Sequence, residues 1–206
     1  MADHAARGRD ADRSRAAILE AAERLFAAEG HDAASLARIG AAAGLSRQAP
    51  AYFFGGKDAL YAAVIERLFD AREAALRPTW TALAAVDDEA LPAAIRSAVD
   101  AYLGFLRDRP AFVAIVEREA VGGAARLRRA PHRSTAMEDG LAGLAARRPV
   151  PVDDVLLTVL ALGMFWFAHA ETFLAPRGVR ADDPAALDRH AARITSAVLG
   201  LLPASG

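Results

Sequence analysis

Few residues of this chain stand at spacings that catalysis or metal binding requires. His169 and Glu171 are two positions apart on a predicted helix, where side chains do not face each other, so they predict no metal site. Lys57 follows two glycines, but no Ser or Thr comes after it, as a phosphate-binding loop requires. Nucleophile-elbow, dinucleotide-binding and zinc-protease motifs do not occur. We therefore predict no catalytic residue, no metal and no cofactor, and an enzyme is the weaker hypothesis.

Arg47 and Gln48 carry the chemistry that the sequence favours, which is hydrogen bonding to the edges of nucleic-acid bases. Both side chains form paired hydrogen bonds with bases in the major groove of DNA. They lie in the stretch SLARIGAAAGLSRQAPAYFFGGK, residues 35–57. Its second half has few apolar side chains where a core-facing helix needs them. This stretch therefore predicts a helix that presents polar groups to DNA.

Capping residues divide the stretch into a helix, a turn and a second helix. Ser35 is predicted to cap the first helix, and Gly44 to end it in the left-handed conformation of a tight turn. Ser46 is predicted to cap the second helix, which ends at Gly55. The pattern indicates a helix-turn-helix whose second helix is the recognition helix, with Arg47 in its first turn.

The charge balance does not by itself support nucleic-acid binding, because the net charge is -1. A positive surface must then come from the arrangement of a few cations and from helix N-termini. We expect base contacts from the recognition helix and phosphate contacts beside it. The predicted DNA-binding residues are Ser35, Arg38, Ser46, Arg47, Gln48, Tyr52 and Lys57.

A pattern of apolar and small residues runs through the first sixty positions. It comprises residues 15–22, Leu25, Phe26, Gly30, Ile39, residues 43–46, Phe54, Lys57 and Leu60. In type and spacing the pattern resembles the TetR family of bacterial transcriptional regulators. The resemblance implies an all-α homodimer that binds a palindromic double-stranded DNA operator, as a repressor that a small organic effector releases.

The recognition helix departs from the common pattern of that family. Pro50 and Ala51 stand where a Leu-Tyr pair is usual, and the tyrosine comes one place later as Tyr52. Ala49 replaces a common threonine, so one hydroxyl contact to the DNA backbone is missing. Because proline lacks an amide hydrogen, Pro50 predicts an irregular start of the helix.

Helical periodicity covers most of the chain, so the predicted fold class is all-α. We expect a flexible N-terminal arm, a first helix from about Ser14 to Ala28, and a helix from Lys57 that ends before Pro78. Residues 1–56 are predicted to form the DNA-binding domain, and residues 57–206 a helical domain for effector binding and dimerisation. With 206 residues, 54% of them hydrophobic, the chain can bury a sizeable core.

Two apolar C-terminal segments predict the dimer interface. Residues 155–168 are apolar on nearly all sides but fall short of the roughly 20 residues of a membrane span. The second segment, residues 184–202, carries Val198 and Leu201 on its apolar side. Paired helices of this kind look like the four-helix bundle through which TetR-like proteins dimerise. The alternative is that both helices pack only within one subunit.

Aromatic residues at helical spacing predict the lining of an effector pocket, although most such residues form ordinary core. Few polar groups accompany them, which favours a largely apolar organic effector. The candidates are Tyr102, Phe105, Phe112, Trp166, His169 and Phe173.

Two features of the sequence concern the location of the protein and its charged surface. The chain contains no cysteine and its N-terminus has no apolar leader pattern, which favours a cytoplasmic protein without a membrane segment. The arginine-rich segment of residues 126–133 is interpreted as a solvated loop, since no aromatic residues interleave with its charges.

The competing hypotheses are a small helical enzyme, and a DNA-binding adaptor without a ligand, whose C-terminal core would be filled.

Overall fold

The computed structural model describes residues 2–129 and 135–203, so that His132 and Arg133 of the arginine-rich segment lie outside the described residues. Helices account for nearly all of these residues, and the described part contains no strand. The helices are α1 Ala2–Ala33, α2 Leu36–Ala42, α3 Ala49–Phe54, α4 Lys57–Ala82, α5 Leu91–Asp108, α6 Pro110–Val121, α7 Ala125–Arg129, α8 Thr135–Ala145, α9 Val152–Ala168 and α10 Pro184–Leu201. The all-α prediction is confirmed.

Helix α1 begins far earlier than the sequence predicts. Its first turn starts at Ala2, where we expected a flexible arm. Alanine and arginine dominate this segment and both favour helix, so the prediction of an arm was wrong. At the other end Gly30 has φ 83° and interrupts the helix, as its position predicts. Ile18, Ala22 and Phe26 have no exposed surface, which gives α1 one buried face.

Helix α4 runs through Pro78 to Ala82, so the predicted end before Pro78 was wrong. Proline cannot donate to the carbonyl four residues earlier, which here belongs to Ala74. Both residues are exposed, so water can solvate that carbonyl. The interruption is therefore tolerated on the outer side of the helix, while Leu76 and Trp80 face the core with 0% and 2% of their surface exposed.

The chain forms two compact units. The first contains the described residues up to Phe69 together with 114–129, and the second contains 70–113 and 135–203. Both α4 and α6 contribute residues to each unit. This division differs from the predicted boundary after residue 56, because the first turns of α4 and the end of α6 pack with α1.

The second unit is a helical bundle in which α5 packs against α9 and α10. Gly163 on α9 permits one close contact, since a Cβ there would lie 2.6 Å from Cε1 of Tyr102. Gly140 on α8 permits another, since a Cβ there would lie 2.0 Å from the carbonyl oxygen of Trp80. Arg147 then donates to the carbonyl oxygens of Ala84 and Val86 at 3.1 and 3.0 Å. These contacts hold α8 against the end of α4.

The two C-terminal helices bury only part of their apolar surface within this chain. Val198 is buried in the core of the second unit, so its predicted place in the dimer interface was wrong. Leu157 and Phe165 on α9 are 62% and 50% exposed, and Leu201 on α10 is also exposed. Residues 155–168 are apolar on nearly all sides, yet within one chain only part of α9 is buried.

Within the described residues, no single helix has both the length and the apolar character of a membrane span. In the part of the chain that the structure describes, α9 together with residues 170–177, across a bend of 71°, meets that criterion by length and composition.

Candidate nucleic-acid interface

Helix α2 supports the turn that leads to the predicted recognition helix. Ser35 caps it as predicted, because its side chain accepts a hydrogen bond from the backbone nitrogen of Arg38 at 3.3 Å. The helix is followed by Gly44 with φ 70°, which confirms the predicted left-handed turn. The backbone nitrogen of Leu45 donates to the carbonyl of Gly40 at 2.9 Å and closes the turn.

Gly40 has a steric role that the sequence reasoning missed. A Cβ at this position would lie 2.4 Å from the carbonyl oxygen of Ser46 and 3.2 Å from Cα of Arg47. Only glycine therefore lets the turn before α3 lie directly on α2. The signal was present, because a glycine inside a helical pattern costs about 1 kcal/mol relative to alanine and so indicates a possible close contact.

Helix α3 begins later than predicted. Its N-cap is Gln48, whose side chain makes no capping hydrogen bond, and the first helical residue is Ala49. Ser46 is therefore not the cap, and Arg47 and Gln48 lie in the turn before the helix instead of in its first turn. Pro50 explains the shift, since proline fits the first turn of a helix, where its missing amide hydrogen is not needed.

The side chains predicted to contact bases are exposed. Arg47 and Gln48 are exposed, and 85% of the Tyr52 surface is accessible to solvent. The Tyr52 ring packs edge-on against Phe53, with 5.2 Å between the ring centroids. Within residues 2–129 and 135–203, no hydrogen bond or ion pair engages the Arg47 side chain. The turn and α3 thus present a free guanidinium and a phenol on one short segment.

Two of the cations predicted to contact phosphates are engaged within the protein. Both terminal nitrogens of Arg38 donate to the carboxylate of Glu29, one of them at 2.6 Å. Lys57 Nζ donates to the carbonyl oxygens of Asp32 and Ala34 at 3.1 and 3.2 Å. The Arg38 bonds tie α2 to α1, and the Lys57 bonds tie the first residue of α4 to the end of α1 and the loop after it.

Arg15 on α1 holds the end of the recognition helix, a role that the sequence reasoning did not assign. Its Nη1 donates to the carbonyl oxygen of Phe53 at 3.1 Å, and its guanidinium lies 4.2 Å from the ring centroid of Phe54. A cation at a helix C-terminus is favourable because the unpaired carbonyls there carry partial negative charge. Sequence spacing cannot show this contact, since 38 positions separate the bonded residues.

The C-terminal part of α6 is hydrogen-bonded to the C-terminal part of α1. Arg118 donates to the carbonyl oxygens of Ala27 and Ala28 at 3.2 and 2.7 Å, just before the interruption at Gly30. The buried hydroxyl of Tyr61 donates to Glu119 at 2.9 Å. Burial, followed by this hydrogen bond, raises the pKa of the Tyr61 phenol, so the phenol stays a donor.

Asp32, at the end of α1, is bonded to Arg126 of α7 and to the neighbouring His31. Arg126 Nη2 donates to Asp32 at 3.1 Å, and Nδ1 of His31 lies 2.8 Å from the same carboxylate oxygen. The hydrogen bond with His31, followed by the charge of Arg126, lowers the pKa of the Asp32 carboxyl. Arg126 is therefore part of an ion-pair network, and the interpretation of residues 126–133 as a simply solvated loop needs this correction.

The six residues predicted to line an effector pocket fall into separate places. Tyr102, Phe105 and Phe112 are buried, with 5.0 Å between the two phenylalanine ring centroids. Arg72 is buried beside them, its guanidinium 6.0 Å from the Phe112 ring centroid, and desolvation lowers its pKa. Burial raises the pKa of the Tyr102 phenol. These three aromatic residues thus occupy the core of the second unit.

The other three predicted residues lie near the end of α9. Trp166 stacks on His190 with 4.2 Å between ring centroids, and its Nε1 donates to the carbonyl of Ala181 at 3.0 Å. His169 and Phe173 pack against Phe165 at 4.7 and 5.3 Å. The structure does not bring the six residues into one cavity.

Taken together, an exposed turn and short helix with free polar side chains, carried by a three-helix scaffold, define a helix-turn-helix DNA-binding protein. Comparisons with known proteins give the family. Residues 18–64 match the family of bacterial regulatory proteins called the tetR family, and residues 92–198 match the tetracyclin repressor-like C-terminal domain. The chain belongs to the TetR family and is a DNA-binding transcription regulator.

Solved structures share the fold over most of the chain. A TetR family transcription regulator from Marinobacter aquaeolei is 19% identical, with a TM-score of 0.71 over 93% of this chain and 98% of that one. SmeT, the repressor of the Stenotrophomonas maltophilia multidrug efflux pump SmeDEF, is 21% identical, with a TM-score of 0.61 over 93% and 91%. A TetR-family regulator from Haemophilus influenzae is 18% identical, with a TM-score of 0.64 over 90% and 96%. A search of curated proteins gives no match.

Proposed function

We propose that this regulator is a homodimeric repressor that binds a palindromic operator and leaves it when a small organic effector binds the second unit. The proposal of DNA binding rests on one observation: the Arg47 side chain is exposed and unengaged, beside Gln48 and the 85% exposed Tyr52. The repressor part is supported by family membership and by the likeness to SmeT, which is itself a repressor. Since its DNA partner is the bacterial chromosome, the cytoplasm is the proposed location.

Base contacts come from Arg47, Gln48 and Tyr52, and side-chain phosphate contacts come from Ser35 and Ser46, while Arg38 and Lys57 act on phosphate binding only indirectly. Arg38 and Lys57 keep their internal bonds in the proposed complex, so their contribution is to orient the backbone amides around α2 and α4. Backbone N–H groups at helix N-termini bind phosphate oxygens without any side-chain cation. This arrangement explains how a chain with a net charge of -1 binds DNA.

The dimer is supported by the apolar face that one chain leaves exposed on α9 and α10. Leu157, Phe165 and Leu201 lie on these helices, and such surface is rare on a monomer of this size. A two-fold symmetric dimer presents two recognition helices to half-sites about 34 Å apart, or a multiple of that distance. An effector shifts this equilibrium only through different affinities for the binding and non-binding spacings.

One observation favours a second candidate, a DNA-binding adaptor without an effector. The enclosed cavity in the core of the second unit has a volume of only about 10 Å³. A larger groove of about 580 Å³ beside residues 170–182 is open to solvent, as an ordinary surface depression is. An effector must therefore enlarge the core cavity, whereas an adaptor leaves it closed.

The DNA-binding assignment is tested by selecting bound fragments from the genome of origin and measuring affinity for the selected operator. Arg47→Ala and Gln48→Ala should each cost about 1–3 kcal/mol of discrimination against other sequences. The matched control is Arg24→Ala, because Arg24 is an exposed arginine of α1 paired with Glu20 and loses the same charge. Unchanged operator affinity in the Arg47→Ala, Gln48→Ala double variant would remove this assignment.

A further inference from the structure

Helix α3 is too short to hold its direction by itself. It has six residues, and isolated helices shorter than about 12–15 residues are marginal in water. Its N-cap, Gln48, makes no side-chain capping bond, and among its residues, all of which the structure describes, only Pro50 is buried. Helix α2 packs against it, next to the turn at Gly40. The direction of the C-terminal half of α3 therefore depends on contacts from elsewhere in the first unit.

Arg15 of α1 supplies contacts of this kind at two neighbouring residues of α3. The hydrogen bond from its Nη1 to the carbonyl oxygen of Phe53, at 3.1 Å, fixes the position of the last turn. The guanidinium also lies 4.2 Å from the ring centroid of Phe54. The carbonyl of Ala51 is already used, since the N–H of Gly55 donates to it at 2.8 Å. One planar group of α1 thus contacts both the backbone and a ring at the end of α3.

We infer that Arg15 is a positioning residue for operator recognition, which sets the direction of α3 through these two contacts and binds no phosphate itself. Helix α3 carries Tyr52 and directly follows Arg47 and Gln48. A change in its direction therefore displaces the side chains proposed to read the bases. The inference rests on the proposed contact between α3 and the operator, and it adds a residue that touches neither bases nor phosphates.

The chemistry of the two contacts requires arginine in particular. A guanidinium is flat, so one group can lie over an aromatic ring and also donate to a carbonyl oxygen. The ammonium of lysine is a compact, strongly hydrated charge without a flat face. A phosphate contact makes no such demand, because either cation releases counterions from DNA. Arg15→Lys therefore keeps the charge and removes the geometry, which separates the two roles.

The first test measures operator affinity over a series of salt concentrations for the parent, Arg15→Lys and Arg15→Gln. Both variants should bind the operator about tenfold more weakly, because a hydrogen bond from a charged donor is lost, while the slope of affinity against salt stays the same. Arg24→Lys is the matched control and should bind like the parent, since Arg24 is an exposed arginine of the same helix paired with Glu20. Parental affinity in Arg15→Lys, or a slope reduced by about one in Arg15→Gln, would make Arg15 a phosphate ligand and overturn the inference.

The second test needs no DNA and follows amide hydrogen exchange by NMR. The amide of Gly55 is bonded within the last turn of α3 at 2.8 Å, and the amide of Ala43 is bonded to α2 at 2.9 Å. In Arg15→Lys the Gly55 amide should exchange about tenfold faster and the Ala43 amide at the parental rate, because α3 opens locally while α2 stays folded. Unchanged exchange at Gly55, or equally faster exchange at both amides, contradicts the positioning role. If the parent binds no operator, the proposed function fails, whereas this measurement still decides whether Arg15 orders α3.

Discussion

At the scale of single residues, Gly40 shows a steric effect that outweighs helix propensity. Alanine is favoured over glycine inside a helix by about 1 kcal/mol, so propensity alone predicts that Gly40→Ala stabilises α2. The new Cβ, however, would lie 2.4 Å from the carbonyl oxygen of Ser46, a backbone atom that cannot rotate away. Overpacking of this kind costs about 1–3 kcal/mol.

We therefore expect Gly40→Ala to lower the free energy of unfolding in urea and to weaken operator binding, because the turn that carries Arg47 is displaced. The matched control is Gly104→Ala in α5, where an added Cβ meets no atom within 4 Å. That variant should gain up to about 1 kcal/mol. Equal stability changes in the two variants would show that the close contact at Gly40 is not a constraint.

At the scale of the elements, His190 links α10 to α9 in a way that depends on pH. Its Nε2 lies 3.1 Å from the carbonyl oxygen of Leu162, its ring stacks on Trp166, and Arg193 lies nearby on α10. Desolvation, aided by the charge of Arg193 and opposed by the bond to Leu162, lowers the pKa of His190 below its ordinary 6.5. The folded chain therefore binds this proton less tightly than the unfolded chain.

Because the unfolded chain binds the His190 proton more tightly, the free energy of unfolding falls as the pH drops below the ordinary histidine pKa. The fall ends once the pH is below the lowered pKa of the folded chain. The measurement compares urea unfolding of the parent and of His190→Gln at neutral pH and at pH values below 6.5. The parent should lose more stability on acidification than the variant, while the other histidines contribute equally to both. A variant that loses as much as the parent would contradict the assignment to His190.

Some features of the helices could be predicted from the sequence, and others could not. The ends of α2 and α3 were predictable because Gly44 and Gly55 have positive φ, a local requirement that the residue type reveals. The start of α3 was not, because it depends on Pro50 and on the contact of the turn with Gly40. The predicted effector residues failed to meet for a related reason. Periodicity identifies apolar faces, but which faces meet depends on close helix contacts such as those at Gly140 and Gly163.

At the scale of the whole molecule, the exposed apolar face predicts how the chain associates. Leu157→Glu places a charge on a side chain that is 62% exposed, so it should yield a monomer of undiminished chain stability that no longer binds the operator. Val198→Glu places the same charge at a position that is 2% exposed. Because burying an unpaired charge is very costly, that variant should unfold the second unit.

Sedimentation and urea unfolding distinguish the two effects. A Leu157→Glu protein that still sediments as a dimer and binds DNA would place the interface elsewhere. A Val198→Glu protein as stable as the parent would contradict the buried position of α10 in the core.

The internal bonds of Arg38 and Lys57 also determine how the DNA complex responds to salt. DNA releases condensed counterions in proportion to the protein charges that neutralise its phosphates, and this release makes affinity fall as salt rises. A guanidinium that remains paired with Glu29 neutralises no phosphate, and an ammonium bound to two carbonyls is already directed inward. We therefore expect the affinity of the proposed complex to depend on ionic strength less steeply than the eight lysines and arginines of the first sixty residues suggest. If the proposed operator complex forms in this way, we expect it to stay occupied over a wider range of intracellular salt than a complex held by many free cations.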